Sequence, residues 1–478
     1  MYQIPSQPEF WDSASVITKD PTPIIEGQSE KFNRVKSVLE PFNISLEMMK
    51  DIGDRLTAEM VKGLDKATHA EAKVKMFPTY VQSLPDGTER GDFFALDLGG
   101  SNFRVLLVQL LEGEVKMESK TYAIAKEIMV GTGDQLFDYI ADCLNEFKTE
   151  QGLGNKSLPL GFTFSFPCKQ LSLKSGILVT WTKGFTAAGV EGKNVVDLLM
   201  EACKRRGVDI DVIALVNDTT GTLMSCAYTD HNAYVGLILG TGTNACYMED
   251  VNKVGTWEGD GNARQTIVNM EWGAFGDDGV LDDIRTEYDR NVDETSLNRG
   301  KQQYEKMISG MYLGEISRQV MVKLVQSKLL FNGVSSKELD TPGKFETRFT
   351  TDIENDKSNN GTDVAKILTD LNLKPSLEDI ELVRVICHSV AKRAARLAVA
   401  GLAAVTKRVQ RDDRPEVTIG IDGTLYKKHP LFKQEMEEMM KLLVPGVKVN
   451  FMLSEDGSGK GAALIAAVAC RLHNNKVQ

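Results

Sequence analysis

The chain has 478 residues, more than one hydrophobic core usually supports, so we expect two or more lobes. Hydrophobic residues make up 42% of the chain and charged residues 26%, a balance typical of globular proteins. The formal net charge of −11 and the lack of a long basic run argue against a nucleic acid partner.

The seven cysteines are scattered, odd in number and form no CxxC pair, which indicates a reduced intracellular protein. The five histidines are far apart in the sequence, so a histidine metal cluster is not expected. The sequence contains neither a secretory signal nor the run of about 18 uncharged apolar residues that a membrane span needs. We therefore predict a cytoplasmic protein without a transmembrane segment.

The N-terminal part of the chain divides into a tail and two helices. Residues 1–28 contain four prolines among mixed polar residues, which predicts a mobile tail. Helical periodicity begins at Ser29 and is broken at Pro41. A second amphipathic helix follows from Leu46 to Met60.

Three apolar strands then end in turns of small and hydroxyl-bearing residues. The first turn, Gly99-Gly100, separates two apolar runs and predicts a β-hairpin. The spacing of about 140 residues between two of these turns indicates a duplicated α/β unit. The strands are Phe93–Leu98, Val235–Leu239 and Val417–Ile421, and the last two run into Gly240-Thr241-Gly242-Thr243 and Asp422-Gly423-Thr424.

Helical periodicity marks further segments along the chain. Four of these segments are Gln135–Phe147, Val195–Arg205, Tyr304–Leu329 and Glu381–Val405. The glycine-rich run at Gly457 lacks the first glycine and the Ser/Thr of a Walker A loop. We interpret Ser458–Cys470 instead as a small-residue helix whose N-terminus helps to bind an anion.

The glycine turns favour phosphate binding, because backbone N–H groups can approach a phosphate where no Cβ intervenes. Beside the first turn, Arg104 can supply positive charge, and Asp97 can hold Mg²⁺ through water. An ordinary hairpin turn with a solvated aspartate is an equal alternative for this turn alone. The second turn resembles a dinucleotide fingerprint, but a strand rather than a helix follows it, so we expect another phosphate-contacting hairpin.

Asp218 directly follows the nearly uninterrupted apolar strand Val212–Val216. A carboxylate held rigidly at the end of a buried strand suits a general base, whereas capping of the next helix is the commoner role for such a position. Other polar residues follow strands elsewhere in the chain, and a set of carboxylates, amides and one lysine matches a ligand with many hydroxyls. The set is Ser165, Lys183, Asn217, Asp218, Asn244, Glu271 and Glu305.

These motifs together resemble the animal hexokinase family, in order and nearly without gaps from about Lys31 to Ala469. The resemblance implies an α/β, two-lobed actin-like ATPase (ribonuclease-H-like) fold with sugar and ATP in the cleft between the lobes. The segments that carry it are Leu96–Arg104, Leu160–Pro167, Trp181–Phe185, Leu215–Thr222, Gly240–Met248, Glu271–Gly276, Ile419–Tyr426 and Leu453–Ala463.

The resemblance also implies a role for each matching residue. Asp218 would be the base that deprotonates the 6-hydroxyl of a hexose, with Lys183 steadying charge near the transferred phosphate. The hexose, glucose by expectation, would be bound by Ser165, Thr182, Lys183, Asn217, Asp218, Asn244, Glu271, Gln302 and Glu305. ATP and Mg²⁺ would be bordered by Asp97, Gly99, Gly100, Ser101, Asn102, Arg104, Thr241, Gly423, Thr424 and Ser458.

The family also implies the division of the chain. Residues 29–84 and 218–457 would form the large lobe, and residues 85–217 and 458–478 the small lobe. Ser101 stands where many members have threonine, and the hydroxyl is kept in both. We find no apolar anchor of the kind that takes some members to mitochondria in residues 1–28. A non-catalytic sugar sensor on the same fold is the alternative, but such a sensor is expected to lose Asp218 or Lys183.

Overall fold

The structure, a computed structural model, describes residues 30–477 apart from 101, 113, 155, 182, 359, 413 and 455, with backbone only for 474–477. The predicted tail of residues 1–28 lies outside the described residues, and so do the predicted site residues Ser101 and Thr182. No helix within the described part of the chain is long and apolar enough to cross a membrane.

Sixteen α-helices are present in the described residues, and short 3-10 helices connect some of them. The two predicted N-terminal helices are confirmed, as are those expected at Gln135, Val195, Glu381 and Ser458. In chain order the helices are α1 Glu30–Leu39, α2 Leu46–Leu64, α3 Lys126–Met129, α4 Gly133–Glu150, α5 Val195–Arg206, α6 Asp218–Ala227, α7 Glu287–Thr295, α8 Gln303–Ile308, α9 Leu313–Gln326, α10 Lys337–Asp340, α11 Thr347–Asn355, α12 Thr362–Asp370, α13 Leu377–Val409, α14 Thr424–Lys428, α15 Pro430–Leu443 and α16 Gly457–Val477.

Thirteen strands are present in the same residues, and both predicted hairpins are confirmed. In chain order the strands are β1 Phe77–Pro78, β2 Gly91–Leu98, β3 Asn102–Leu111, β4 Glu114–Ala123, β5 Pro159–Phe164, β6 Cys168–Ser172, β7 Ser175–Leu178, β8 Asp211–Val216, β9 Ala233–Leu239, β10 Thr243–Asp250, β11 Gln265–Asn269, β12 Glu416–Asp422 and β13 Lys448–Leu453.

The strands form two main sheets with one repeated pattern. In the first sheet, of order β4-β3-β2-β5-β8, β2 pairs antiparallel with β3 and parallel with β5, which pairs parallel with β8. In the second sheet, of order β1-β11-β10-β9-β12-β13, β9 pairs antiparallel with β10 and parallel with β12, which pairs parallel with β13. The repeat supports the predicted duplication of an α/β unit. β6 and β7 form a separate hairpin.

Three apolar clusters fill the structure. One surrounds the second sheet and includes the Ala-rich face of α13, and another packs α4 and α5 against the first sheet. The third joins the two sheets through α6 and α16. These two helices cross closely, because a Cβ on Gly461 would lie 2.0 Å from the Gly221 carbonyl oxygen. The lobe boundaries expected from the sequence stay a prediction.

The expectation of one helix over Tyr304–Leu329 is wrong. The chain forms α8 and α9 with a break at residues 309–312. At the break the N–H groups of Gly310 and Met311 donate to the carbonyl oxygens of Gly240 and Thr241, at 2.8 and 3.1 Å. A side chain at Gly310 would not fit, because its Cβ would lie 2.8 Å from the Gly240 oxygen. The predicted helix is therefore interrupted where its backbone hydrogen-bonds to the second glycine turn.

Candidate active site

Several predicted site residues follow the carboxyl ends of parallel strands in the two sheets, whereas Asn244, Glu305 and Lys183 lie elsewhere. In the first sheet, Ser165 follows β5, and its N–H donates to the Leu98 carbonyl oxygen at the end of β2 at 3.0 Å. Asn217 and Asp218 follow β8, two strands from β2. Because neighbouring parallel strands end at the same edge, the first glycine turn, Ser165 and Asp218 lie side by side.

The carboxylate of Asp218 lies partly buried at the first residue of α6 and accepts the N–H of Thr219 at 2.9 Å. Burial raises its pKa, the positive charge of Lys183 lowers it, the carboxylate of Asp97 raises it, and hydrogen bonds from Thr219 and the Ser165 side chain lower it. The balance is a pKa above the ordinary value. The carboxylate is therefore a stronger base than an exposed aspartate.

The N-cap of α6 is Asn217, and the carboxylate of Asp218 shares the N–H of Thr219 with it. The Asn217 side-chain oxygen accepts the N–H of Thr219 at 3.0 Å and its hydroxyl at 2.6 Å. Helix capping, the alternative role considered for Asp218, is thus assigned to its neighbour. The amide nitrogen of Asn217 is the part of this side chain that remains for a ligand.

Lys183 has a left-handed backbone, with φ 56°, which is uncommon for a residue with a side chain. Its Nζ donates to the Ser165 carbonyl oxygen at 2.8 Å and lies 5.5 Å from the centre of the Phe166 ring. These contacts keep the ammonium beside Asp218, whose pKa it lowers. Backbone strain of this kind is typical of functional sites.

A chain of amides in the second sheet holds Glu271. Asn244 Nδ2 donates to Asn269 Oδ1 at 2.8 Å and to Glu271 Oε1 at 3.4 Å. Asn269 Nδ2 donates to the same Glu271 oxygen at 2.8 Å. Burial raises the pKa of Glu271, and the bond from Asn269 opposes that rise. One carboxylate oxygen is therefore committed to the protein, and Oε2 is left for a ligand hydroxyl.

Glu305, on α8, completes the group of carboxylates. Its Oε2 accepts the N–H of Thr243 at 3.0 Å. Burial raises the pKa of Glu305 to about 7; the charges of Glu271 and Asp218 add to this rise, while the hydrogen bond from Thr243 and the charge of Lys183 oppose it. These mutual charge effects show that the four groups from four different segments share one site.

Three residues that were predicted to border ATP form an ionic cluster. Asp97 Oδ2 accepts from Arg104 at 2.8 Å and from the Ser458 hydroxyl at 2.6 Å. Arg104 also pairs with Asp456 at 2.6 Å. The cluster fastens the N-terminus of α16 to the first hairpin, and the other oxygen of Asp97 remains for a ligand.

Asp422, at the end of β12, lies within electrostatic reach of Asp218. It accepts the N–H of Gly423 at 2.7 Å, and burial and the charge of Asp218 raise its pKa. Gly423 has φ 123° and begins the turn into α14. Asn102 and Thr424 stand at the first residues of β3 and α14, without a side-chain contact to the carboxylates among the described residues.

Three polar residues at the site were not predicted from the sequence as site residues. Asn269 orients Asn244 and Glu271, Asp456 pairs with Arg104, and Asp422 was noted only as part of a turn. Asn269 does carry a signal, since it is an amide at the end of the apolar strand β11. Asp456 carries none, because its partner is more than 350 positions away.

Two family models, both described as hexokinase, match residues 34–228 and 234–468. The chain is 52% identical to hexokinase-1 of Homo sapiens over 451 residues and 53% identical to human hexokinase-2 over 444 residues. These matches cover 93% and 91% of this chain but 49% and 48% of the relatives. The chain thus spans about half the length of the curated relatives it matches.

Two solved structures that this chain matches over nearly their whole length agree. The hexokinase from Schistosoma mansoni, solved in complex with glucose, is 46% identical with a TM-score of 0.85, covering 92% of this chain and 99% of that one. Another hexokinase crystal structure is 31% identical with a TM-score of 0.80 and the same coverage. The predicted two-lobed actin-like α/β fold is confirmed by these matches. The chain belongs to the hexokinase family.

Proposed function

We propose that this protein transfers the terminal phosphoryl group of ATP to the 6-hydroxyl of a hexose, glucose in the first place. The observation that carries the proposal is the position of Asp218. Its carboxylate has a raised pKa and lies within electrostatic reach of Lys183, Glu271 and Glu305 and of Asp97 and Asp422. That position suits a base between a polyhydroxyl ligand and a phosphate.

The sugar side of this proposal rests on the arrangement of acceptors and donors. Glu271 and Glu305 can each accept a sugar hydroxyl, while Asn217 and Lys183 can donate to one. Asn217, Glu271 and Glu305 are partly buried, so a ligand without matching hydroxyls would leave these three unpaired at a cost of roughly 1–3 kcal/mol each. The glucose complex of the Schistosoma mansoni relative adds support for glucose.

The donor set also fits a magnesium ion that is bound chiefly by ATP. No group of three or more His, Cys, Asp or Glu side chains in the described ranges could hold a metal by itself. The charge of Asp97 nevertheless raises the pKa of Asp218, and the charge of Asp218 raises the pKa of Asp422, which is the repulsion that a divalent cation relieves. Asp97 would hold Mg²⁺ through water, and the ion would neutralise phosphate charge.

The chain's own residues carry the remaining steps of the mechanism. Asn217, Glu271 and Glu305 orient the sugar, and Asp218 accepts the proton of the attacking 6-hydroxyl. Lys183 balances negative charge beside the transferred group. The glycine turns at Gly99-Gly100, Gly240–Gly242 and Gly423 let phosphates approach the backbone closely, although the N–H groups of Gly240 and Gly423 are bonded within the protein.

The test is ADP release from ATP, measured with and without glucose, mannose and fructose. Release that depends on a hexose, with hexose 6-phosphate as the product, supports the proposal. Glucose binding without ADP release would favour the sugar sensor, and release without sugar would favour an ATPase that acts on other partners. The panel of hexoses also identifies the preferred substrate.

We also propose that the protein acts in the cytoplasm. All seven cysteines are free thiols, five of them buried, which fits a reducing compartment. Fractionation of cells that express the full chain tests this location, and recovery with mitochondria or other membranes would contradict it.

A further inference from the structure

One carboxylate, that of Asp277, joins the segment that follows Glu271 to the helix that carries Glu305. Asp277 Oδ2 accepts the N–H of Gln302 at 3.2 Å, and its Oδ1 accepts the N–H of Gln303 at 3.0 Å. These N–H groups stand at the start of α8, where no carbonyl of the helix itself can accept them. Asp277 thus serves as the acceptor for α8 from another part of the chain.

Gln302 needs an acceptor from outside because of its own conformation. Its backbone is left-handed, with φ 58°, and its side chain makes no capping bond to α8. A residue with a side chain adopts this conformation only when its surroundings hold it there. The side chain of Gln302 is thereby left for another use, which we have predicted to be sugar binding.

The two segments that Asp277 joins also touch beside the site. A Cβ on Gly273 would lie 2.2 Å from Gln302 Oε1 and 3.2 Å from the Cβ of Glu305. The rings of Phe275 and Tyr304 pack edge to face at 5.3 Å. Glu271, which precedes Gly273 by two residues, is likewise left-handed, with φ 54°. The segments that contain Glu271 and Gln302 are therefore in contact, and each of these two residues combines a left-handed backbone with a predicted sugar contact.

We propose that Asp277 is a positioning residue that holds Gln302 and Glu305 at the distance from Glu271 that a hexose requires. The inference rests on the proposed function, since it assigns these three side chains to the sugar. Asp277 is partly buried, and burial raises its pKa while the two N–H bonds lower it. Its neighbour Asp278 is exposed and bonds only within its own turn, to the N–H of Val280.

The experiment compares Asp277→Ala and Asp277→Asn with the control Asp278→Ala. Glucose affinity is measured by calorimetry, and KM for glucose, KM for ATP and kcat by ADP release. We expect Asp277→Ala to weaken glucose binding and raise its KM about tenfold, with KM for ATP and kcat within about twofold. Asp277→Asn keeps a carbonyl acceptor, so its KM for glucose should lie between those of Asp277→Ala and the unchanged protein. Asp278→Ala should match the unchanged protein.

A double-mutant cycle separates positioning from general loss of stability. If Asp277 acts through Gln302, Asp277→Ala should reduce glucose affinity less when Gln302→Ala is already present. Additive losses, unchanged glucose affinity in Asp277→Ala, or equal damage to glucose and ATP would each overturn the inference. If Asp277→Ala does not fold, Asp277→Asn decides by the same criteria.

The proposed function can fail separately in this experiment. An unchanged protein that binds glucose but releases no ADP contradicts the kinase function, and calorimetry then still decides the role of Asp277. An unchanged protein that binds no glucose overturns both.

Discussion

Asp218 differs from a helix-capping aspartate in what surrounds its carboxylate. Asn217 is the N-cap of α6 and also accepts the Thr219 hydroxyl, so the helix N-terminus does not depend on Asp218 alone. Its charge is disfavoured by burial and by Asp97 and favoured by Lys183. A carboxylate kept where its ionised form is unfavourable contributes little to folding, and this points to a chemical role.

Glu305 provides a pH test at the scale of one residue. Its pKa is about 7 in the folded protein against 4.5 for the ordinary group, so the unfolded chain loses the proton first as pH rises. The stability contributed by protonated Glu305 is full below pH 4.5 and is lost as pH rises through 7. We expect the unfolding free energy of the unchanged protein to fall across this window relative to Glu305→Gln.

Urea unfolding of both proteins at several pH values, without sugar, measures this difference. Parallel pH profiles for the two proteins would contradict the raised pKa of Glu305. Glu338→Gln is a suitable control, because this carboxylate is exposed and its pKa is lowered instead of raised.

Single residues could be predicted from the sequence where the strand pattern ends abruptly. Asp218 and Glu271 follow apolar strands, and the structure brings both to one site. Asp456 and Asp277 escaped prediction because only the fold brings them to their partners, whereas Asn269 did carry a strand-end signal. The roles assigned to the predicted site residues stay predictions until variants are measured.

At the scale of elements, the break between α8 and α9 could not be predicted from the hydrophobic periodicity. Apolar residues continue at helical spacing through residues 309–312, so the sequence pattern alone favours one helix. The break is caused by a distant partner, the turn at Gly240 and Thr241. The hairpins, by contrast, were predictable because their turn chemistry is local.

This contact predicts the effect of Gly310→Ala. The added Cβ would lie 2.8 Å from the Gly240 oxygen and would push the turn away from α9. We expect a loss of about 1–3 kcal/mol in unfolding free energy and a raised KM for ATP, with a smaller change in KM for glucose. The control is Gly261→Ala, where a Cβ meets nothing within 4 Å.

Denaturant unfolding and steady-state kinetics check both expectations for Gly310→Ala. If Gly310→Ala keeps the stability and the KM for ATP of the unchanged protein, the break between α8 and α9 does not support the second glycine turn.

At the scale of the molecule, two sheets with the same strand pattern are joined through α6 and α16. The sequence predicted two α/β units, but it could not predict the order of the strands, because register between distant segments is a tertiary property. Asp218 begins α6 and Ser458 lies in the first turn of α16. Motion between the lobes would therefore act directly on both the sugar side and the nucleotide side of the site.

We expect glucose to close the cleft, since closure would exclude water that competes for the phosphoryl group. The radius of gyration from solution scattering should fall when glucose is added and should not fall with glycerol at the same concentration. An unchanged radius at saturating glucose would argue against closure.

The most direct test of the account is hexose-dependent ATP turnover by Asp218→Ala. Loss of the base should lower kcat by about 10²–10⁴-fold. Glucose affinity and melting temperature should stay near those of the unchanged protein, because the removed charge is unfavourably buried. Substantial kinase activity in a folded, glucose-binding Asp218→Ala protein would contradict the role of this carboxylate as the catalytic base.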